Sequence, residues 1–358
     1  MNSEDFDSEE GLDYDEELKR ACHERDEQRL IELLEKSDYI SQCALHTAAE
    51  YNFAKGIKIL LDAGADINEQ DGHGSTALHA AIDCGSRDAV KLLIKLGANI
   101  GAKDFNDVTP LHMACVKTWA DIADYLIDSG VDVEAQDADE ATPLHWASDK
   151  GNTSIVLSLI ASKADIYAKD SQGRMPLHLA CESNRVDTAN ALIVNGAIVD
   201  AKRPDGIEPI HAAASNGHNE TVELLVSRRA KVDARDNLQR TPLHLAAYGN
   251  FDETIETLVG LGADIDAVDE NGMTALHHAA KNGSSKAAKA LLDHGADTHI
   301  LDDEMLRAID IAKRESYHEE GEKCLRIFNS YELLGDIQKE MDDVKTIPSR
   351  SKPIGFGM

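Results

Sequence analysis

The chain has 358 residues, 42% of them hydrophobic, and sets 66 Asp and Glu against 36 Lys and Arg, for a formal net charge of −30. So acidic a surface lacks the basic footprint that nucleic acid or an anionic membrane needs, which leaves protein as the expected partner. The six cysteines are scattered rather than closely and evenly spaced, which excludes a disulfide framework, and no window reaches the ~18 uncharged apolar residues of a membrane span.

Residues 1–17 carry nine acidic side chains and no basic one, with Phe6, Leu12 and Tyr14 interspersed. They read as a disordered tail, either simply solvating or a docking motif for a basic partner. The start has neither a basic n-region nor an apolar h-region, so a cytoplasmic or nucleocytoplasmic location is expected. Residues 18–37 are more charged than any internal repeat, yet Leu18 and Leu33-Leu34 align with Leu45 and Leu60-Leu61. A terminal cap has this pattern, because one of its faces has no neighbour.

From 38 to 328 the sequence repeats. His46, His79, His112, His145, His178, His211, His244 and His277 stand 33 residues apart each time, and Leu60 through Leu291 keep the same step in a second phase. Thr76, Thr109, Thr142, Thr241 and Thr274 precede short apolar runs and read as helix N-caps. Pro110, Pro143, Pro176, Pro209 and Pro242 follow at the first helical position, where a missing N–H costs nothing. Two small residues after the His leave room for a neighbouring helix. Gly85, Gly151, Gly217 and Gly283, or Asn52, Asn184 and Asn250, then mark a left-handed turn to a second helix. Asp71, Asp104, Asp137, Asp170, Asp236, Asp269 and Asp302 open a hairpin-like turn, with Arg203 in that place in the sixth repeat. In the ninth repeat Asp310 stands where the His belongs, as in a C-terminal cap.

The unit Asp-x-x-Gly-x-Thr-Pro-Leu-His-x-Ala-Ala, followed by Leu-Leu and Gly-Ala, resembles the ankyrin repeat in period and signature. The resemblance implies an all-α repeat solenoid of about nine units, a continuous stack of helix pairs with β-hairpin-like turns, capped at both ends. No single unit buries enough apolar area to offset its own ordering entropy, so stability must come from stacking. Residues 329–344 place Leu334, Ile337, Met341 and Val344 on one stripe, expected to cap the last repeat or to mediate weak self-association of an otherwise monomeric chain. Residues 345–358 read as a flexible basic tail.

No chemistry-bearing motif occurs: Gly-x-Ser-x-Gly, a P-loop and His-Glu-x-x-His are all missing. The repeat histidines lie one unit apart, ~10 Å, too far to share a metal held at ~2 Å. No enzyme activity, cofactor or metal is expected.

Function is therefore sought where copies differ. On the first helix, the residue after the His and those three and four later share a face: Met113, Val116 and Lys117 in the third repeat, Trp146, Asp149 and Lys150 in the fourth. Phe105, Val108, Trp119, Trp146 and Tyr167 cluster in this stretch as a candidate partner-binding surface, aromatic side chains being frequent interface anchors. For Trp146 and Trp119, filling a packing gap is the competing reading. Thr118 replaces the turn Gly or Asn. A second candidate is electrostatic: Lys202, Arg203, Arg228, Arg229, Lys231, Arg235 and Arg240 invert the local charge around the sixth repeat. They are read either as a site for an acidic or phosphorylated motif or as surface residues paired with neighbouring Asp. The implied function is a scaffold or adaptor, with a regulatory inhibitor or targeting subunit as the alternative.

Overall fold

The computed structural model describes residues 7–36 and 42–345, with side chains from 14 to 36 and 43 to 334. Twenty helices occur among them, with no named strand. They come in antiparallel pairs: a short inner helix such as Pro143–Lys150, then an outer one such as Thr153–Ala161. The fold is an all-α repeat solenoid, and isolated bridges such as Gln70 to Thr76 and Val268 to Thr274 mark the hairpin-like turns. The chain divides into two compact bodies, residues 1–204 with six helix pairs and residues 205–358 with four.

The two apolar phases of the sequence become the two layers of each core. Leu45, Leu78, Leu111 and Leu144 on inner helices, and Leu60, Leu93, Leu126 and Leu159 on outer ones, are fully or almost fully buried. Cys115 and Cys181, at a small-residue position of their inner helices, are equally buried free thiols. Burial pushes the pKa of each above the usual thiol range, so both are inert core residues.

The repeat histidines tie one repeat to the next. In the second repeat the backbone N–H of Thr76 donates to His79 Nδ1 at 3.1 Å, and His79 Nε2 lies 3.2 Å from the Val108 carbonyl of the following repeat. His112 and His145 repeat this in the first body, reaching the Ala141 and Arg174 carbonyls at 3.0 Å. His211, His244 and His277 do so in the second, on Arg240, Met273 and Leu306. An N–H can only donate and a carbonyl only accept, so each ring is the neutral tautomer with its proton on Nε2. The Thr hydroxyls take a second part beside capping. At Thr109, Oγ1 accepts from the His112 N–H at 3.5 Å, as Thr274 does from the His277 N–H at 3.4 Å, and lies 2.8 Å from His112 Nδ1, to which the hydroxyl donates. Asp310 also finds its reason. The Arg307 N–H donates to its carboxylate at 3.3 Å, so Asp310 closes the helix start without any group that would seek a carbonyl in a further repeat.

Left-handed turns fall where the glycines and asparagines predict them: φ is +77° at Gly151 and +53° at Asn52. Thr118 takes the same conformation, with φ +60° and ψ +29°, which its branched Cβ disfavours. Thr118→Gly is expected to raise stability by about 1 kcal/mol, read as a shift of the urea midpoint; no change would mean that the turn carries no strain.

Both ends differ from the sequence expectation. The first helix runs Asp7–Glu24, so residues 7–17 belong to it and are not a disordered tail; residues 1–6 lie outside the described residues. Its acidic residues find partners: Asp15 pairs with Lys19 at 2.9 Å and Glu17 with Arg29 at 2.7 Å, while the Tyr14 hydroxyl donates to the Leu33 carbonyl. At the other end no separate helix covers 329–344. One helix runs Glu319–Lys345, because the outer helix of the last pair meets no hairpin turn to stop it. Cys324 and Phe328 bury one face of it, whereas Leu333 and Leu334 are already about 60% exposed. Side chains of Ile337, Met341 and Val344, and the basic tail from 346, lie outside what is described.

Candidate partner-binding surface

The inner helix Pro143–Lys150 sets Trp146 one residue past the bonded His145, which turns its ring back toward the hairpin turn of its own repeat. There the indole Nε1–H donates to Asp137 Oδ2 at 2.7 Å, and the ring stands edge-on to His112, 5.6 Å between centroids. The other oxygen of Asp137 accepts the N–H groups of Asp139 and Ala141, both at 2.9 Å, which is how the carboxylate holds the turn. His278 repeats the arrangement in the second body: it bonds Asp269 Oδ2 at 2.8 Å and stands edge-on to His244. Trp146 thus packs against its neighbour and also donates a hydrogen bond, and the donor role was in neither reading of the sequence.

Beside this ring lies a cavity of about 370 Å³, bounded by the third, fourth and fifth repeats of the first body. Val116 and Leu179 give it apolar wall, while Asp139, Asp149, Lys150 and Arg174 surround its polar side. Burial alone would raise the pKa of Asp149, but the Lys150 ammonium and the Ser183 hydroxyl more than offset this and hold it below the usual carboxylate range. Arg174 bonds the buried Asp170 at 2.7 Å and reaches Glu182 at 3.4 Å. His145 is held neutral, its pKa lowered chiefly by burial.

Of the five residues proposed from the sequence, only Trp146 lines this cavity. Phe105 is 72% exposed and lies over Gly74, where an added Cβ would come within 2.6 Å of its ring. Val108 is half-buried and lends its carbonyl to His79. Trp119 caps the helix Ala120–Asp128 and covers the left-handed Gly85, with the Arg87 guanidinium 5.4 Å from its ring centre. Among the described residues its Nε1 finds no hydrogen-bond partner. Tyr167 is 46% exposed and donates its hydroxyl to the Gly196 carbonyl at 3.1 Å. The face read from helical spacing did better, since Val116, Asp149 and Lys150 all reach the cavity. Leu179 was overlooked, although it occupies the same post-His position as Trp146 one repeat later.

The basic candidate divides between the two bodies. Lys202 and Arg203 belong to the first, where Arg203 pairs with Glu182 at 3.0 Å. Arg228, Arg229, Arg235 and Arg240 belong to the second, where Arg240 pairs with the buried Asp236 at 2.7 Å and Arg235 donates to the Gln239 carbonyl. Arg203 and Arg240 are therefore engaged with carboxylates of their own body. Arg229 is exposed and stands at φ +75° in the place of the usual glycine. Among the described residues, no group of three or more His, Cys, Asp or Glu side chains is placed to hold a metal ion, and no helix is long and apolar enough to cross a membrane.

Comparison with known proteins agrees with this architecture. A family model of ankyrin repeats in three copies matches residues 18–104, 101–170, 152–236, 177–269 and 210–302. Among solved structures, the human ASB11 ankyrin repeat domain is similar with a TM-score of 0.56 and 26% identity, over 62% of this chain and 98% of that one. No curated protein sequence matches. With helix pairs, hairpin turns and signature residues recurring through both bodies, and the family model covering residues 18–302, the chain belongs to the ankyrin-repeat family.

Proposed function

We propose that this chain is a non-enzymatic scaffold or adaptor, cytoplasmic or nucleocytoplasmic, that takes a protein partner on the inner-helix face of its third to fifth repeats. The observation that supports this is the cavity of about 370 Å³ with Trp146 as one wall: a concave, part-apolar site beside a fixed aromatic ring, in a family whose repeats generally mediate protein–protein interaction. Leu179 offers the cleanest test, because its side chain borders the cavity and is not tied into a hydrogen-bond network. Leu179→Arg is expected to weaken a partner captured by the full chain about tenfold or more. Because Leu179 is only 8% exposed, the charge also costs stability, so capture is compared at a temperature where the variant is still fully folded. Undiminished capture by a folded Leu179→Arg chain would place the partner elsewhere. An adaptor holds two partners together, so a second protein retained in the same complex separates it from an inhibitor that occupies one.

A further inference from the structure

The charges around the cavity do not cancel, and which ones remain says what fits there. Lys150 is taken up by Asp149 at 2.7 Å, and Arg174 by Asp170 and Glu182. Asp137 and Asp139 are left. Asp137 is 9% exposed, and all three of its bonds come from neutral donors: two backbone N–H groups and the Trp146 indole. Among its counterparts, Asp170 and Asp236 each carry an arginine on the same oxygen, Arg174 and Arg240, whereas Asp71, Asp104 and Asp302 are, like Asp137, held by backbone N–H groups. Asp139 is exposed at the turn beside it, and among the described residues no cation lies within ion-pair distance of either. A full negative charge held in place by neutral dipoles keeps its outward field, and a low-dielectric concave wall focuses that field.

Building on the binding face proposed above, we infer that the Trp146 cavity is a socket for a cationic side chain of the partner, an arginine or lysine within a basic segment. Its head would lie near Asp137 and Asp139, and its aliphatic stem against Val116, Leu179 and the indole. The cavity supplies both things such a side chain asks for, apolar wall for the stem and uncompensated charge for the head. An acidic or neutral side chain would face the same carboxylates unpaired.

The test uses the full chain carrying Trp119→Phe, which removes an indole with no hydrogen bond to lose and leaves Trp146 as the sole indole N–H signal in proton–nitrogen NMR spectra. N-acetyl-arginine methylamide is expected to shift that signal saturably, and its neutral isostere N-acetyl-citrulline methylamide to bind about tenfold more weakly or not at all. Asp139→Asn should weaken arginine binding about threefold, while Lys150→Gln, which frees Asp149, should strengthen it about twofold. Equal shifts from the two ligands, no saturable shift, or an unchanged affinity in Asp139→Asn would each overturn the inference. Loss of partner capture in Leu179→Arg alongside a negative arginine titration would leave the binding face standing and remove only the cationic socket. Arginine binding with undiminished capture would remove the face and with it the role in partner binding, leaving only a cavity that takes a free cation.

Discussion

Acidification from pH 7 to 4.5 should strip this protein of a large part of its stability before its carboxylates titrate. His79, His112, His145, His244 and His277 are all buried, and burial is the leading cause that lowers the pKa of each, to about 4 for His244. Hydrogen bonds to the next repeat's carbonyls oppose the shift without cancelling it. In the unfolded chain these rings take up protons near pH 6.5, so as pH falls below that value the unfolded state binds protons that the folded state refuses. The contribution is complete above about pH 6.5 and is lost on descent toward pH 4; for His244 alone it amounts to about 3 kcal/mol. Melting temperature measured against pH should therefore be flat above neutrality and fall steeply between 6.5 and 4.5. A flat profile through that window would refute the buried neutral rings. Nitrogen shifts should also show the proton on Nε2 at pH 7.

Trp146→Ala should cost about 3 kcal/mol of stability and, with a partner in hand, about 2 kcal/mol of binding. The stability loss has two sources: the ring that packs edge-on to His112, and the bond that occupies Asp137 Oδ2. Trp146→Phe separates them, since it keeps a ring and leaves the oxygen to water in the adjoining cavity, at a cost of about 1 kcal/mol. Chemical denaturation of the two variants is the check. Were Trp146→Ala as stable as the parent, the indole would be no part of the packing, and its bond to the turn would carry no weight.

The architecture was legible in the sequence because repetition multiplies a weak local signal. One Thr-Pro-Leu-His proves little, whereas eight histidines at one spacing admit a single explanation. The left-handed turns at Gly151 and Asn52 followed from residue type alone. The ends were less legible. Acidic residues 7–17 have the composition of a solvated tail, but Glu17 and Arg29 meet only after the chain folds back, and composition carries no pairing information. The candidate site was half legible. Helical spacing placed Val116, Asp149 and Lys150 on the face that lines the cavity, while a tally of bulky residues drew in Phe105 and Trp119, whose bulk covers Gly74 and Gly85. Nothing in sequence spacing tells a side chain that fills a gap beside a neighbour's glycine from one that faces open space.

The forward reach of the imidazoles gives the stack a direction in time. A ribosome delivers repeats from the N-terminus, and each histidine finds its acceptor on a carbonyl that in most cases is made 29 residues later, as His79 does on Val108. The newest inner helix to emerge therefore always holds a ring N–H without its partner, and the next turn out of the exit tunnel satisfies it. A message cut after Gly295 would freeze that state permanently at His277, whose acceptor is the carbonyl of Leu306. Asp310 asks for nothing further along, so the ninth repeat is where a nascent array can stop without an unanswered donor.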